Sequence, residues 1–317
     1  MRAHHWIATG PNGIADFQFV ESEVAEPGPG EVTITVQASG VNPADLKHPG
    51  RATVFPVSIG YEVAGTITAL GPETEIASGG GAIGDAVLAF RVTGGWASIL
   101  TVPADTVFAR PQNLGAAQAA NLLLVATTAA DLLRVAKVES GETVVVFGAS
   151  GSVGVSLLQI ARSRGIRVVG VCSANRVDEV ARFGGVAIER GQAPSELAER
   201  IALAAADPIA AVFDASGRDD DIAAALAVAG NHDRMVTIVG TDVAKDAGFQ
   251  FIGGVAPENA AYRASVRAEL IDMAARGDLV VPVSETFVLR QALDALDLVS
   301  SGRAGGKVAL VPDSNDV

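Results

Sequence analysis

Thr143-Val-Val-Val-Phe-Gly148-Ala-Ser-Gly151-Ser-Val-Gly154-Val-Ser-Leu-Leu-Gln-Ile-Ala161 is the stretch that decides the fold. Its first five residues are apolar apart from Thr143 and show no polar alternation, as in a strand buried on both faces of a parallel sheet. Three glycines follow, spaced three apart. Beyond Gly154, Val155, Leu158, Ile160 and Ala161 fall at helical spacing. A strand, a glycine turn and a helix in that order can grip phosphate. One glycine permits the tight turn, one lets the backbone reach a pyrophosphate, and one lets helix and strand pack closely. The helix N-terminus adds amide N–H groups and partial positive charge. The competing reading is a structural turn, since tight turns use glycine widely. No Gly-Lys-Ser/Thr ending is present, which excludes a P-loop. Gly148-Ala149-Ser150-Gly151-Ser152 is not G-x-S-x-G, which excludes a nucleophile elbow.

Outward from this turn, strands are expected at 167–172, 186–189, 209–213 and 234–240, with a sixth at 248–253. Helices are expected at 116–138, 152–163, 177–183, 194–204 and 219–229. Strand and helix alternate, which predicts a doubly wound parallel sheet. Residues 1–118 read differently. Short strands, 32–36 and 62–70 among them, are punctuated by Pro27-Gly-Pro-Gly30, Gly71-Pro72 and Gly79-Gly-Gly81, which predicts a small barrel-like β domain. Helices at 261–275 and 291–300 and a strand at 306–311 close the chain.

A length of 317 residues predicts two domains. With 49% apolar and 19% charged residues the chain has an ordinary globular balance. Its net charge of −13 argues against nucleic acid or an anionic membrane as partner, because phosphates are repelled on average. The lone cysteine, Cys172, excludes an intrachain disulfide and a cysteine-rich zinc site, and reads as a small buried residue ending a strand. The N-terminus has no apolar h-region. The apolar stretch at 119–133 is short and interrupted by Asn121, Thr127, Thr128 and Asp131. The expectation is therefore no signal peptide, a core helix rather than a membrane span, and a cytoplasmic location.

In a dinucleotide fold the end of the second strand meets the adenine ribose. A carboxylate there selects NAD, whereas a 2′-phosphate calls for small polar and cationic groups. Here the strand ends Cys172-Ser173-Ala174-Asn175-Arg176, and the first carboxylate is Asp178, which the next helix can use in its first turn. Ser173 and Asn175 can bond a phosphate and Arg176 can pair with it, so NADP(H) is expected. The alternative is that Ser173 merely caps the helix and Arg176 is a solvated charge.

With these residues in hand, the chain resembles the medium-chain dehydrogenase/reductase superfamily, and within it the zinc-independent quinone oxidoreductases, the zeta-crystallin-like group. The resemblance rests on Pro27-Gly-Pro-Gly-Glu-Val32, Gly40-Val-Asn-Pro-Ala-Asp45, Gly60-Tyr-Glu-Val-Ala-Gly65, Gly84-Asp-Ala-Val87, Gly94-Gly-Trp-Ala97, Ala126-Thr-Thr-Ala129, the glycine turn and Gly306-Lys307-Val308. It implies an α/β protein in which a Rossmann doubly wound parallel sheet domain, 119–254, is inserted in a GroES-like β-rich catalytic domain, 1–118 and 255–317, with the active site in the cleft. It implies cofactor contacts from Asn42 and Thr128 near the nicotinamide, from Gly148, Ala149, Ser150, Gly151, Ser152, Val153 and Gly154, from Ser173, Asn175 and Arg176, and from Ser216, Val239, Gly240, Thr241 and Lys307.

The chain departs from zinc alcohol dehydrogenases of the same superfamily. Asn42-Pro43-Ala44-Asp45 stands where they place a first cysteine ligand, and Gly60-Tyr61-Glu62 where they carry Gly-His-Glu. Without soft or imidazole ligands there, no catalytic zinc is expected. A short-chain reductase site is excluded as well, because the residues four beyond Tyr61 and Tyr262 are Gly65 and Val266 rather than lysine. The missing zinc points away from alcohol oxidation, which needs a metal or a tuned acid, toward acceptors whose reduced anion is resonance-stabilised. Asn42, Asp45, His48 and Tyr61 are the candidate catalytic residues, with Lys47 nearby, and Glu62 reads either as a cleft residue or as a structural hydrogen-bond partner. The expected function is NADPH-dependent reduction of quinones. A second reading is reduction of α,β-unsaturated carbonyls, and a third is a non-catalytic NADPH-binding redox sensor or structural protein. A homodimer is expected, with 249–252 pairing across a two-fold axis.

Overall fold

Short strands come first in the computed structural model, which describes every residue except Gln192, Ser314, Asn315 and Val317. They are β1 (Arg2–Ala8), β2 (Phe17–Glu23), β3 (Glu31–Val41), β4 (Val57–Ser58), β5 (Glu62–Leu70), β6 (Ala86–Phe90), β7 (Ile99–Pro103) and β8 (Val107–Ala109). Helices α1 (Pro43–Lys47) and α2 (Ala116–Ala119) interrupt and follow them, and α3 (Leu122–Val135) leads on. The alternating part contains β9 (Thr143–Phe147), α4 (Ser152–Ser163), β10 (Arg167–Cys172), α5 (Val177–Arg182), β11 (Val186–Glu189), α6 (Pro194–Ala205), β12 (Ile209–Asp214), α7 (Asp219–Val228), β13 (Met235–Thr237), α8 (Asp242–Asp246) and β14 (Gln250–Phe251). The chain ends with α9 (Pro257–Ser265), α10 (Arg267–Ala275), β15 (Val283–Val288), α11 (Ala292–Ser300) and β16 (Lys307–Val311).

Two compact units result: Met1–Leu124 with Val281–Val317, and Val125–Val280. This shifts both boundaries drawn from the sequence, 118/119 and 254/255. Residues 255–280 fold with the parallel sheet because polar contacts bind them there. Arg263 Nε donates to Asp131 Oδ2 at 2.9 Å and its Nη1 to Thr128 Oγ1 at 3.2 Å. The Gln159 amide exchanges two bonds with the Val280 backbone, each 2.9 Å. The single helix expected at 116–138 is broken between Ala119 and Leu122, and the one at 261–275 is broken at Val266. The apolar stretch Ala116–Val135 is long and apolar enough to cross a membrane but is largely buried in the protein.

In the first unit β15-β16-β3-β5-β6-β8 form one sheet, with β7 also paired to β3, and β2-β1-β4 form a smaller one. Inward-facing Val32, Ile34, Val36, Val63, Ile67 and Val87 build its core. The returning strand β16 lies antiparallel to β3, with Val308 opposite Val41 and Leu310 opposite Ser39. This register sets Lys307 beside the end of β3, where Asn42 begins α1.

In the second unit the strands run β11-β10-β9-β12-β13-β14, all parallel. Numbered within the unit this is the order 3-2-1-4-5-6, whose connections reverse direction beside β9. Every residue of β9 is buried, as its unbroken apolar run requires.

Candidate active site

Four polar side chains meet at the start of α1. Pro43 at the first helical position and Asn42 before it make a good helix start. The Asn42 N–H donates to Asp45 Oδ2 at 2.7 Å, and the Asn42 amide donates to Glu62 Oε1 at 3.0 Å. Lys307 Nζ donates to Val41 O at 3.2 Å, to Glu62 Oε1 at 3.3 Å and to Asn42 Oδ1. Glu62 Oε2 accepts the Leu124 N–H at 3.2 Å. Asn42, Asp45, Glu62 and Lys307 are all buried, so the Lys307–Glu62 ion pair sits in a weak dielectric with its hydrogen bonds made, the condition under which a buried pair is tolerated.

Asp45 differs from its neighbours. Its carboxyl is fully buried, and Oδ1 has no hydrogen-bond partner. Burial pushes its pKa up to about 8, against the opposing pull of the Asn42 N–H and the Lys307 charge. Beyond it, the His48 and Tyr61 rings stack with centroids 5.1 Å apart. Burial first, and then the nearby Asp45, push the Tyr61 phenol up to about 12. Burial and then Arg51 lower the His48 pKa, so the ring is held toward its neutral form. Lys47 is exposed. The structure thus gathers Asn42, Asp45 and Lys307 with Glu62, and pairs His48 with Tyr61.

The glycine turn of the second unit has the expected form. Gly148 has φ +81°, a conformation that costs other residues, and a Cβ there would lie 3.0 Å from the Ala215 backbone. A Cβ on Gly154 would lie 2.5 Å from the Gly148 carbonyl oxygen and 2.6 Å from that of Ala149, so only glycine lets α4 seat this closely on β9. Gly151 is exposed and precedes Ser152, the first residue of α4. The first-turn amides of α4, those of Ser152, Val153 and Gly154 among them, lack helical partners in the way common to helix starts.

Loops at the ends of β12 and β13 flank this turn. Asp214, buried, accepts the Ser216 N–H (2.9 Å), the Ser216 hydroxyl (3.0 Å) and the Gly217 N–H (2.9 Å) on one oxygen. Its other oxygen accepts the Thr237 hydroxyl at 2.7 Å. Thr237 Oγ1 in turn accepts the Val239 N–H at 3.1 Å and the Gly240 N–H at 3.4 Å. One carboxylate and one hydroxyl therefore shape both loops that carry Ser216, Val239 and Gly240. Thr241 caps α8 by accepting the Ala244 N–H at 3.2 Å. Asp214 and Thr237 escaped the sequence reading, although Asp214-Ala-Ser-Gly217 carries the signature of an Asx turn. Thr128 is buried in the Asp131–Arg263 network.

At the end of β10, Ser173 Oγ donates to Asn175 Oδ1 at 3.0 Å, and both residues are exposed. Arg176 Nη2 donates to Ser150 O at 3.5 Å and forms an ion pair with Glu179. Asp178 lies in the first turn of α5 as expected, and the carboxylate that pairs with Arg176 is Glu179 next to it. Burial, working against that arginine, raises the Glu179 pKa.

Comparison with known proteins bears on both units. The alcohol dehydrogenase GroES-like domain matches residues 28–112, and the zinc-binding dehydrogenase domain matches residues 192–310. The pikromycin polyketide synthase component PikAII of Streptomyces venezuelae is 32% identical over 314 residues, covering 93% of this chain. The chain spans 8% of that protein's length. The quinone oxidoreductase of Mus musculus is 34% identical over 163 residues, covering 49% of this chain and 48% of the mouse protein. A mycobacterial protein solved as a complex with NADPH is 28% identical, with a TM-score of 0.78 over 98% of this chain and 100% of its own.

A zinc ion does not fit the residues present. Asn42 and Tyr61 offer neither thiolate nor imidazole, and the Glu62 carboxylate is committed to Asn42, Lys307 and the Leu124 N–H. Among the described residues no three His, Cys, Asp or Glu side chains converge as a ligand set. With a GroES-like first unit, a parallel sheet in the order 3-2-1-4-5-6 and matches in both parts of the sequence, the chain belongs to the medium-chain dehydrogenase/reductase superfamily.

Proposed function

We propose that this chain is a cytoplasmic, NADPH-dependent oxidoreductase that transfers hydride to a quinone without a metal. The glycine turn beside β9 carries the reading, because it joins a buried strand to a closely seated helix start, the arrangement on which a dinucleotide pyrophosphate sits. The NADPH complex of the mycobacterial relative supports the choice of cofactor, and the mouse relative supports a quinone as acceptor. When bound, the cofactor supplies the hydride. The turn and its flanking loops, shaped by Asp214 and Thr237, bind and orient it. Ser173 and Asn175, exposed and bonded to each other, and Arg176 beside them are the groups offered to a 2′-phosphate.

On this reading the Asn42–Lys307 pair supplies the polar side of the acceptor site in the first unit, and the stacked Tyr61 and His48 rings its flat side. Beyond these a quinone needs only a proton for its reduced oxygen, because its reduced anion is resonance-stabilised. Reduction of α,β-unsaturated carbonyls is the second reading; like quinone reduction it consumes a proton, and Asp45 is a buried carboxyl with a raised pKa.

The test is NADPH consumption by chelator-treated protein with an ortho-quinone and an enone side by side. Fast oxidation with the quinone alone is expected. Oxidation with the enone alone moves the assignment to alkene reduction. NADPH binding with neither acceptor reduced returns the protein to the sensor reading.

A further inference from the structure

Asp45 has a buried oxygen for which the cluster holds no partner. Lys307 is the cation beside it, and its ammonium has three protons. These go to Val41 O, Asn42 Oδ1 and Glu62 Oε1, so none is left for Asp45. The Asn42 N–H satisfies Oδ2 alone. An ionised carboxylate buried with one neutral hydrogen bond and no ion pair is costly, and neutralisation is the usual escape. A carboxylic acid at this position keeps the Oδ2 acceptor and leaves Oδ1 as a hydroxyl with a proton to give. The other groups around it do not change this balance. Glu62 adds negative charge, which disfavours ionisation further, and Tyr61 stands neutral beside it. The helix α11 packed on α1 keeps Asp294 and Asp297 exposed, while Asp16 in the turn Gly13–Asp16 is occupied by the Asn12 N–H at 2.7 Å. On α1's own side, Lys47 and Arg51 are exposed and His48 is held toward its neutral form.

We propose that Asp45 stands in the resting protein as a carboxylic acid, and that its Oδ1 hydroxyl gives the hydrogen bond, and then the proton, to the oxygen of the reduced acceptor. This rests on the reductase reading above. The balance is simple. The acceptor gains the hydride pair and becomes reduced, and the dinucleotide is oxidised. The Asp45 O–H bond breaks as the product O–H bond forms. The carboxylate that remains regains its proton from water.

Infrared spectroscopy of the whole protein tests the assignment independently of turnover. A carboxylic-acid carbonyl band is expected at pH 7, disappearing as pH rises through about 8. It is expected to be absent from Asp45→Asn, whose amide oxygen still accepts the Asn42 N–H, and to shift when an ortho-quinone is added. Turnover of Asp45→Asn should fall about a hundredfold or more while NADPH binding holds. A carboxylate band alone at pH 7, or an acid band that the quinone does not move, overturns the proposal. A band that moves with no NADPH oxidised supports Asp45 as the donor group and refutes the quinone as acceptor, so the two failures are distinguishable.

Discussion

Asp45 and Asn42 begin the same short helix, yet one ties it to the strands and the other holds its proton. Burial sets the Asp45 pKa at about 8 against an ordinary 3.8. Between those values the folded protein keeps a proton that the unfolded chain has released, so stability is greatest below pH 4 as far as this group is concerned and declines as pH rises to about 8. The decline is at most about 1.4 kcal/mol per pH unit. Asp45→Asn should remove that slope, which urea unfolding at pH 5 and pH 8 measures; an unchanged slope would mean that Asp45 is ionised in the folded state. Asn42 was named through the family resemblance, and Asp45 and Tyr61 as candidates near it in sequence. The binding of Glu62 was not legible in the sequence, since its partners Lys307 and Leu124 lie far along the chain and only the β3–β16 register brings Lys307 to it.

The strand–turn–helix element makes its own prediction. A methyl group on Gly154 meets backbone oxygens at 2.5 and 2.6 Å, and backbone cannot step aside as a flexible side chain does. Gly154→Ala should cost about 1–3 kcal/mol, in the range of overpacked sites, and should weaken NADPH binding; the urea midpoint and a binding titration report both. Unchanged values would show that the turn does not depend on this close approach. Here the sequence was most informative. The helix at 152–163 agrees residue for residue, and the strands 143–147, 167–172 and 186–189 agree likewise, because period and punctuation coincide. The run 116–138 misled because alanine and leucine carry no stop signal, although the chain breaks before Leu122. The boundary near 255 misled for a different reason. What binds α9 to the sheet unit is the buried pairing of Arg263 with Asp131, a long-range contact that no local pattern announces.

At the scale of the whole molecule the open edge of the parallel sheet invites a partner. β14 is short, Gln250–Phe251, and Phe251 is 55% exposed, while its neighbours Phe249 and Ile252 are buried. We propose that two copies pair along this edge, as exposed edges favour. Phe251→Lys should then convert a dimer to a monomer in light scattering, and a wild-type monomer would dispose of the idea. The proposed reaction is direct hydride transfer without a metal. It is tested by metal-stripped protein oxidising NADPH that carries deuterium at C4, with an ortho-quinone as acceptor. Steady oxidation is expected, slowed by deuterium on one face of the ring and not on the other. Oxidation that needs added zinc, or that is indifferent to deuterium on both faces in single turnover, would contradict it.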